Sequence, residues 1–167
     1  DGSLYRSKKP IYWCCSCKTA LAEAEIEYGD EKSPSIYVKF LLTGNVGDVH
    51  PDLAGKPVAL VIWTTTPWTL PANLAVALHP DIVYSVIETD SGDVLILARE
   101  RIADCMKAFD IPSYRIIADV DPTLLENQTC RHPLFERDSL IVLGTHVTLE
   151  TGTGCLYDSF GPGPRPF

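Results

Sequence analysis

Trp63-Thr64-Thr65-Thr66-Pro67-Trp68-Thr69-Leu70-Pro71-Ala72-Asn73 follows directly on the uncharged run Val58-Ala59-Leu60-Val61-Ile62. A run of β-branched and aliphatic residues without a charge reads as a buried strand, over Val58 to Thr64. The threonines begin where that strand emerges. Their hydroxyls both donate and accept hydrogen bonds, while Pro67 and Pro71 fix φ and remove two backbone donors. A stiff, polar, aromatic-walled loop of this kind suits the holding of a small ligand and a water at fixed distance.

On either side the chain reads as short strands. Ala22 to Tyr28 alternates small apolar and acidic residues at strand period, and Ile36 to Leu42 places Ile36, Val38, Phe40 and Leu42 on one face before the turn signal Gly44-Asn45. Val49 to Lys56 reads as a loop. Pro71 to Leu78, alanine-rich with a proline in its first turn, suits a short helix. Ile82 to Thr89 and Val94 to Ala98 form a hairpin through Asp90-Ser91-Gly92-Asp93. Glu100 to Phe109 carries Ile102, Met106 and Phe109 at helical spacing, and Tyr114 to Val120, Leu140 to Leu143 and Val147 to Leu149 are further strands. Many short strands with two short helices predict a mixed α/β, β-rich domain, a β-barrel core decorated by short helices.

The 167 residues fit one domain, with a formal charge of −8. That balance argues against broad, stand-alone binding to nucleic acid, which relies on lysine and arginine at phosphates, so any RNA contact must be local. No stretch approaches the roughly 20 apolar residues that cross a bilayer, and no charged-then-apolar leader is visible, so no membrane partner and a cytoplasmic setting are expected. Of six cysteines, Cys14, Cys15 and Cys17 crowd into four positions. Cys14 and Cys17 make one CxxC, half a zinc site, with no second pair in view. Reduced surface thiols are the plainer reading, and no metal is assigned.

Five blocks carry a resemblance to a known family. Trp63 to Asn73 resembles the threonine-rich signature of the editing domain inserted in isoleucyl-tRNA synthetases, within the class I aminoacyl-tRNA synthetases. Lys9 to Tyr28 (KPIYWCCSCKTALAEAEIEY) resembles the opening of that insertion, and Lys32 to Phe40 the strand after it. Arg131-His132-Pro133-Leu134 and Leu143 to Gly154 (LGTHVTLETGTG) resemble its last two motifs, in the right order. Thr66, where the valyl and leucyl enzymes are expected to carry arginine, favours the isoleucyl branch.

The resemblance implies hydrolysis of valine from valyl-tRNA for isoleucine, with valyl-adenylate a further candidate. It casts Thr64, Thr65 and Thr66 as the catalytic residues that position water and the terminal ribose. Trp63, Trp68, Thr69, Asn73, His146, Gly152 and Gly154 are the substrate-binding candidates. A threonine hydroxyl is too weak an acid to be charged at neutral pH, so these groups orient and hydrogen-bond. Water is the expected nucleophile and no cofactor is expected here, although the parent enzyme would use ATP, with zinc a candidate second requirement. The partners implied are the 3′ end of the tRNA for isoleucine carrying valine and the remainder of the parent synthetase.

Taken without the resemblance, the threonines also fit an edge strand before a proline turn, Gly152-Thr153-Gly154 fits a plain turn, and His146 fits a structural histidine. His50, His79 and His132, each before proline or within the His-Pro motif, read as loop positions without chemistry. Two rival functions stay open: a non-catalytic module binding an amino acid or tRNA end, and a zinc hydrolase built on Cys14, Cys17 and a histidine.

Beyond Cys155 the family pattern continues with a histidine and, further on, an aspartate that the resemblance assigns to the substrate's α-ammonium. Here Tyr157 and Pro166 fall at those positions. The editing domain is therefore expected over 1–155, with 156–167 a disordered tail and activity impaired by the altered C-terminus.

Overall fold

The computed structural model describes residues 11–30, 32–44 and 46–158. Asn45, Lys9, Pro10 and the tail from 159 onward lie outside the described residues. The chain divides into two compact units, Asp1–Lys32 and Ser33–Phe167, where the sequence suggests one domain.

In the first unit a two-residue hairpin, β1 (Trp13–Cys14) and β2 (Thr19–Ala20), turns through Lys18 at φ 53°. The strand expected over Ala22 to Tyr28 is absent: Glu23–Glu25 forms a 3-10 turn, closed by the Glu25 carboxylate accepting from Ala22 N–H at 2.7 Å. Among the described residues no strand pairs with this segment, so the alternation of alanine and glutamate has no sheet to divide into two faces.

The second unit is built on β3 (Ile36–Leu42), β4 (Val58–Thr64), β5 (Ala75–Leu78), β6 (Tyr84–Thr89), β7 (Val94–Ala98), β8 (Tyr114–Val120), β9 (Thr129–Arg131), β10 (Asp138–Leu143) and β11 (Cys155–Asp158). They form one sheet in the order β11-β5-β10-β9-β3-β4-β7-β6-β8. The β-rich class with few short helices is as expected, but the barrel is not closed. Strand β11 at one edge is only four residues long, and β8 at the other exposes Tyr114 and Ile116 and carries Arg115. Charge and a register shift beside Val86/Ile87 blunt that edge.

Strand β4 explains why its sequence is uninterrupted by polar residues. Val58, Leu60 and Ile62 point into the main core with Phe40, Tyr84 and Ile96, while Ala59 and Val61 face a second cluster with Leu97 and helix α2 (Ile102–Ala108). Both faces are covered, so alternation vanishes. Helix α2 supplies Ile102, Cys105 and Met106, close to the expected helix.

Pro71 to Leu78 is not a helix. Pro67–Ala72 is a 3-10 turn, and Ala75–Leu78 is a strand paired in parallel with β10 and antiparallel with β11. All four residues are buried, so ladders on both edges override alanine's helix propensity. Val49 to Lys56, expected as loop, holds the end of α1 (Val46–Val49) and a 3-10 turn at Pro51–Leu53. Val147 to Leu149 is not a strand, because a Val147 N–H to Gly144 carbonyl bond turns the chain away from the sheet. The first residues of the expected disordered tail are ordered: Leu156, Tyr157 and Asp158 lie in β11, held by the ladder to Ala75–Ala77. No helix among the described residues is long and apolar enough to cross a membrane.

Candidate functional site

Strand β4 ends at Thr64, and from there Trp63, Thr64, Thr65, Thr66 and Thr69 face the segment from His146 to Asp158 across a cavity of about 470 Å³. The threonine side is locally pinned. Thr66 N–H bonds Thr64 Oγ1 at 3.0 Å, and the Thr66 carbonyl accepts from both Thr69 N–H at 3.0 Å and Thr69 Oγ1 at 2.7 Å. Ser33 Oγ donates to the Thr65 carbonyl at 2.7 Å. The proline-bounded turn thus holds three hydroxyls on one side with few free torsions.

The opposite wall is fixed from behind. Gly152 and Gly154 sit at φ 75° and 74°, where a side chain is strained. Their close approaches are within the protein: a Cβ on Gly152 would lie 3.1 Å from Trp63, and one on Gly154 would overlap Ala98 Cβ. Arg101 Nε donates to the Gly152 carbonyl at 3.0 Å, Ala98 N–H to the Thr153 carbonyl at 3.0 Å, and the buried Tyr84 hydroxyl to the Gly154 carbonyl at 2.6 Å. Tyr84 also accepts from His79 N–H at 2.9 Å, and burial pushes its phenol well above the ordinary tyrosine value.

Tyr157 reaches into the threonine cluster. Its hydroxyl lies 2.7 Å from Thr66 Oγ1, 3.3 Å from Thr64 Oγ1, and in short contact with Thr69 Oγ1. Burial pushes the phenol up, but the hydroxyls of Thr64, Thr66 and Thr69 outweigh it and set the group below the ordinary tyrosine value.

Of the residues singled out from sequence, Trp63, Thr64, Thr65, Thr66, Thr69, His146, Gly152 and Gly154 line the cavity. Trp68 does not: it is 66% exposed and stands apart from the cavity lining. Asn73 is also elsewhere, fully buried. Its Nδ2 donates to the Ala75 carbonyl at 2.7 Å and the Asp158 carbonyl at 3.3 Å, and its Oδ1 accepts from Ser139. It therefore ties β5, β10 and β11 together, because a buried amide must spend its hydrogen bonds where it sits. His132, read as a loop position, is buried too. Its Nδ1 accepts from Leu134 and Phe135 N–H, so Nε2 carries the proton and donates to the Leu70 carbonyl at 2.9 Å, bracing the end of the same turn.

Sequence reasoning missed Tyr157, Asp158, Thr148, Thr151 and Thr153 as lining residues. The abundance of threonine around Gly152 was the available signal for three of them; Tyr157 stood out only as the residue at the family's histidine position, and neither it nor Asp158 could be placed in the cavity because the strand that delivers them was not recognised. Among the described residues no cluster of three or more His, Cys, Asp or Glu side chains is placed to hold a metal, so the zinc-hydrolase alternative lacks an assembled ligand set there.

The sequence profile of the tRNA synthetases class I (I, L, M and V) matches residues 1–145. The chain is 53% identical over all of its length to the isoleucine--tRNA ligase of Geobacter sulfurreducens and 51% identical over 97% of its length to that of Syntrophotalea carbinolica, spanning 18% and 17% of those proteins. In three dimensions it is similar to the crystal structure of GlLeuRS-CP1, with a TM-score of 0.64 at 16% identity, covering 74% of this chain and 54% of that one. It is also similar to the Plasmodium falciparum cytosolic leucyl-tRNA synthetase editing domain, with a TM-score of 0.59 at 10% identity, covering 74% and 60%. These structural likenesses establish the fold.

Proposed function

The chain belongs to the class I tRNA synthetase family, matched over residues 1–145, and on that footing we propose that it hydrolyses valine from valyl-tRNA for isoleucine, as the editing domain of an isoleucine--tRNA ligase. The observation that carries this reading is the gathering of the Thr64, Thr66 and Thr69 hydroxyls on one wall of a cavity whose other wall, from His146 to Asp158, includes the backbone of Gly152 and Gly154. A synthetic site for isoleucine cannot strongly reject valine, since one missing methylene is worth about 1–3 kcal/mol, a limit for which isoleucyl enzymes are the standard illustration. A second pocket that admits valine and excludes isoleucine removes the error.

In this reading the threonines hold the terminal ribose and a water, Trp63 and the backbone of 152–154 shape the pocket, and rate comes from placement instead of a strong base. Water is the nucleophile and no cofactor takes part. The partner is the acylated 3′ end of the tRNA, delivered by the rest of a cytoplasmic synthetase. The engagement of all three hydroxyls by Tyr157 favours a second reading, a non-catalytic module that binds the tRNA end or amino acid. Deacylation of valyl- and isoleucyl-tRNA for isoleucine separates the two. Loss of valine with isoleucine spared supports the hydrolase; binding without cleavage of either supports the module.

A further inference from the structure

The proton directions in the threonine cluster follow from its fixed groups. Thr69 Oγ1 lies 2.7 Å from the Thr66 carbonyl, which only accepts, so the Thr69 proton is spent there. The Tyr157 hydroxyl then donates to Thr69 Oγ1 or, at 3.3 Å, to the same Thr66 carbonyl. The Tyr157 oxygen in turn accepts from Thr66 Oγ1 at 2.7 Å, and Thr64 Oγ1 donates onward to Tyr157 at 3.3 Å or Thr66 at 3.2 Å while accepting Thr66 N–H. Every hydroxyl proton of Thr64, Thr66, Thr69 and Tyr157 is thereby committed within the cluster.

A ligand that needs donors from Thr66 or Thr64 competes with Tyr157 for them, and one that needs Thr69 Oγ1 as acceptor competes with the same phenol. The phenolic oxygen sits where three hydroxyls converge, the chemistry that would receive a ligand's own hydroxyl. The ring is half-buried on β11, a four-residue edge strand, and is held by that short ladder, by the hydroxyl bonds and by packing of one side against the main core, so the cap is kept at the sheet's edge and not in its interior.

We propose that Thr64, Thr66 and Thr69 form a hydroxyl-binding subsite that the chain fills with its own Tyr157, so that the phenol competes with the vicinal diol of a nucleoside. The identity of the diol as a terminal ribose rests on the editing reading; the self-capping does not. Displacement of Tyr157 is then part of ligand binding, and apparent affinity is reduced by the fraction of molecules in the capped state.

The test is titration of adenosine and 2′,3′-dideoxyadenosine into the wild-type chain, Tyr157→Leu and Tyr157→Phe. Tyr157→Leu, which withdraws both ring and oxygen, should bind adenosine about tenfold more tightly than wild type, with no gain for the dideoxy compound. Should Tyr157→Leu fail to fold by circular dichroism, Tyr157→Phe decides by the same criterion. No gain for adenosine, or an equal gain for both nucleosides, overturns the proposal. The two readings fail separately. A diol-specific gain without cleavage of valyl-tRNA keeps the subsite and removes the hydrolase; cleavage by the wild-type chain without any gain in the variants keeps the hydrolase and removes the self-capping.

Discussion

Thr66 Oγ1 and Tyr157 Oη, 91 residues apart in sequence, lie 2.7 Å apart and join the end of β4 to the edge strand β11. Thr66→Val removes this bond and the one to Thr64 while keeping the shape. Stability should fall by about 1 kcal/mol, the net worth of such hydrogen bonds, read as a shift of the urea midpoint. Cleavage of valyl-tRNA should fall by about 10²-fold, because a misplaced positioning group costs far more in rate than in folding. Equal and small effects on both would remove Thr66 from the site.

Gly154→Ala combines a left-handed backbone with a Cβ driven into Ala98 on β7. Neither obstacle can be relieved by rotating a side chain. A loss of about 3 kcal/mol or more is expected from strain plus overpacking, measured by urea unfolding.

Tyr84→Phe leaves the Gly154 carbonyl and the His79 N–H without their shared hydroxyl. The expected loss is about 1–3 kcal/mol, the cost of leaving buried polar groups unsatisfied. Amide exchange across 151–155 should accelerate in the same variant, since the loop's rear support is gone.

Thiol labelling should divide the cysteines in two. Cys14 accepts from the backbone N–H of Cys17 at 3.3 Å, which, with further help from the Cys17 side chain and Ser16 N–H, lowers its thiol below the ordinary value. It should alkylate first, followed by the exposed Cys15 and Cys17. Burial pushes Cys105 up to about 11, Cys130 to about 12 and Cys155 higher still, so these three should label only after denaturation. Mass spectrometry of native and denatured samples reads the count directly.

Acid sensitivity should be traceable to Glu88. Hydrogen bonds from Arg115 at 2.5 Å and Lys56 at 3.1 Å hold its carboxyl below its ordinary value of 4.5. A depressed folded value means stability that is complete above the unfolded value and is lost as pH falls through the folded one. Between neutral pH and the region below 4.5, Glu88→Gln should therefore lose less stability than wild type. An identical acid limb in both proteins would assign the sensitivity to other carboxylates.

The threonine stretch was legible because a buried strand running into hydroxyls and prolines leaves little choice about where the chain must emerge. The hairpin from β6 to β7 was legible because its turn residues are local. Strand β5 was not: alanine favours helix in isolation, and the two ladders that decide the matter lie more than 60 residues away in β10 and about 80 away in β11. The contact of Tyr157 with the threonines was illegible for the same reason, since only pairing with β5 carries it to Thr66. Asn73, the last residue of the motif, was drawn into the site by proximity in sequence, although its amide is consumed in joining three strands. Trp68 illustrates the converse, an aromatic expected as a wall that the 3-10 turn at Pro67–Ala72 leaves 66% exposed.

The most direct measurement is an amide-resolved NMR titration of this chain with non-hydrolysable amide-linked valyl-adenosine, alongside its isoleucyl counterpart. The account predicts tighter binding of the valyl compound, with shifts concentrated at Trp63–Thr69 and 151–157. Equal affinity for the two compounds, or shifts lying away from both walls of the threonine cavity, would contradict it.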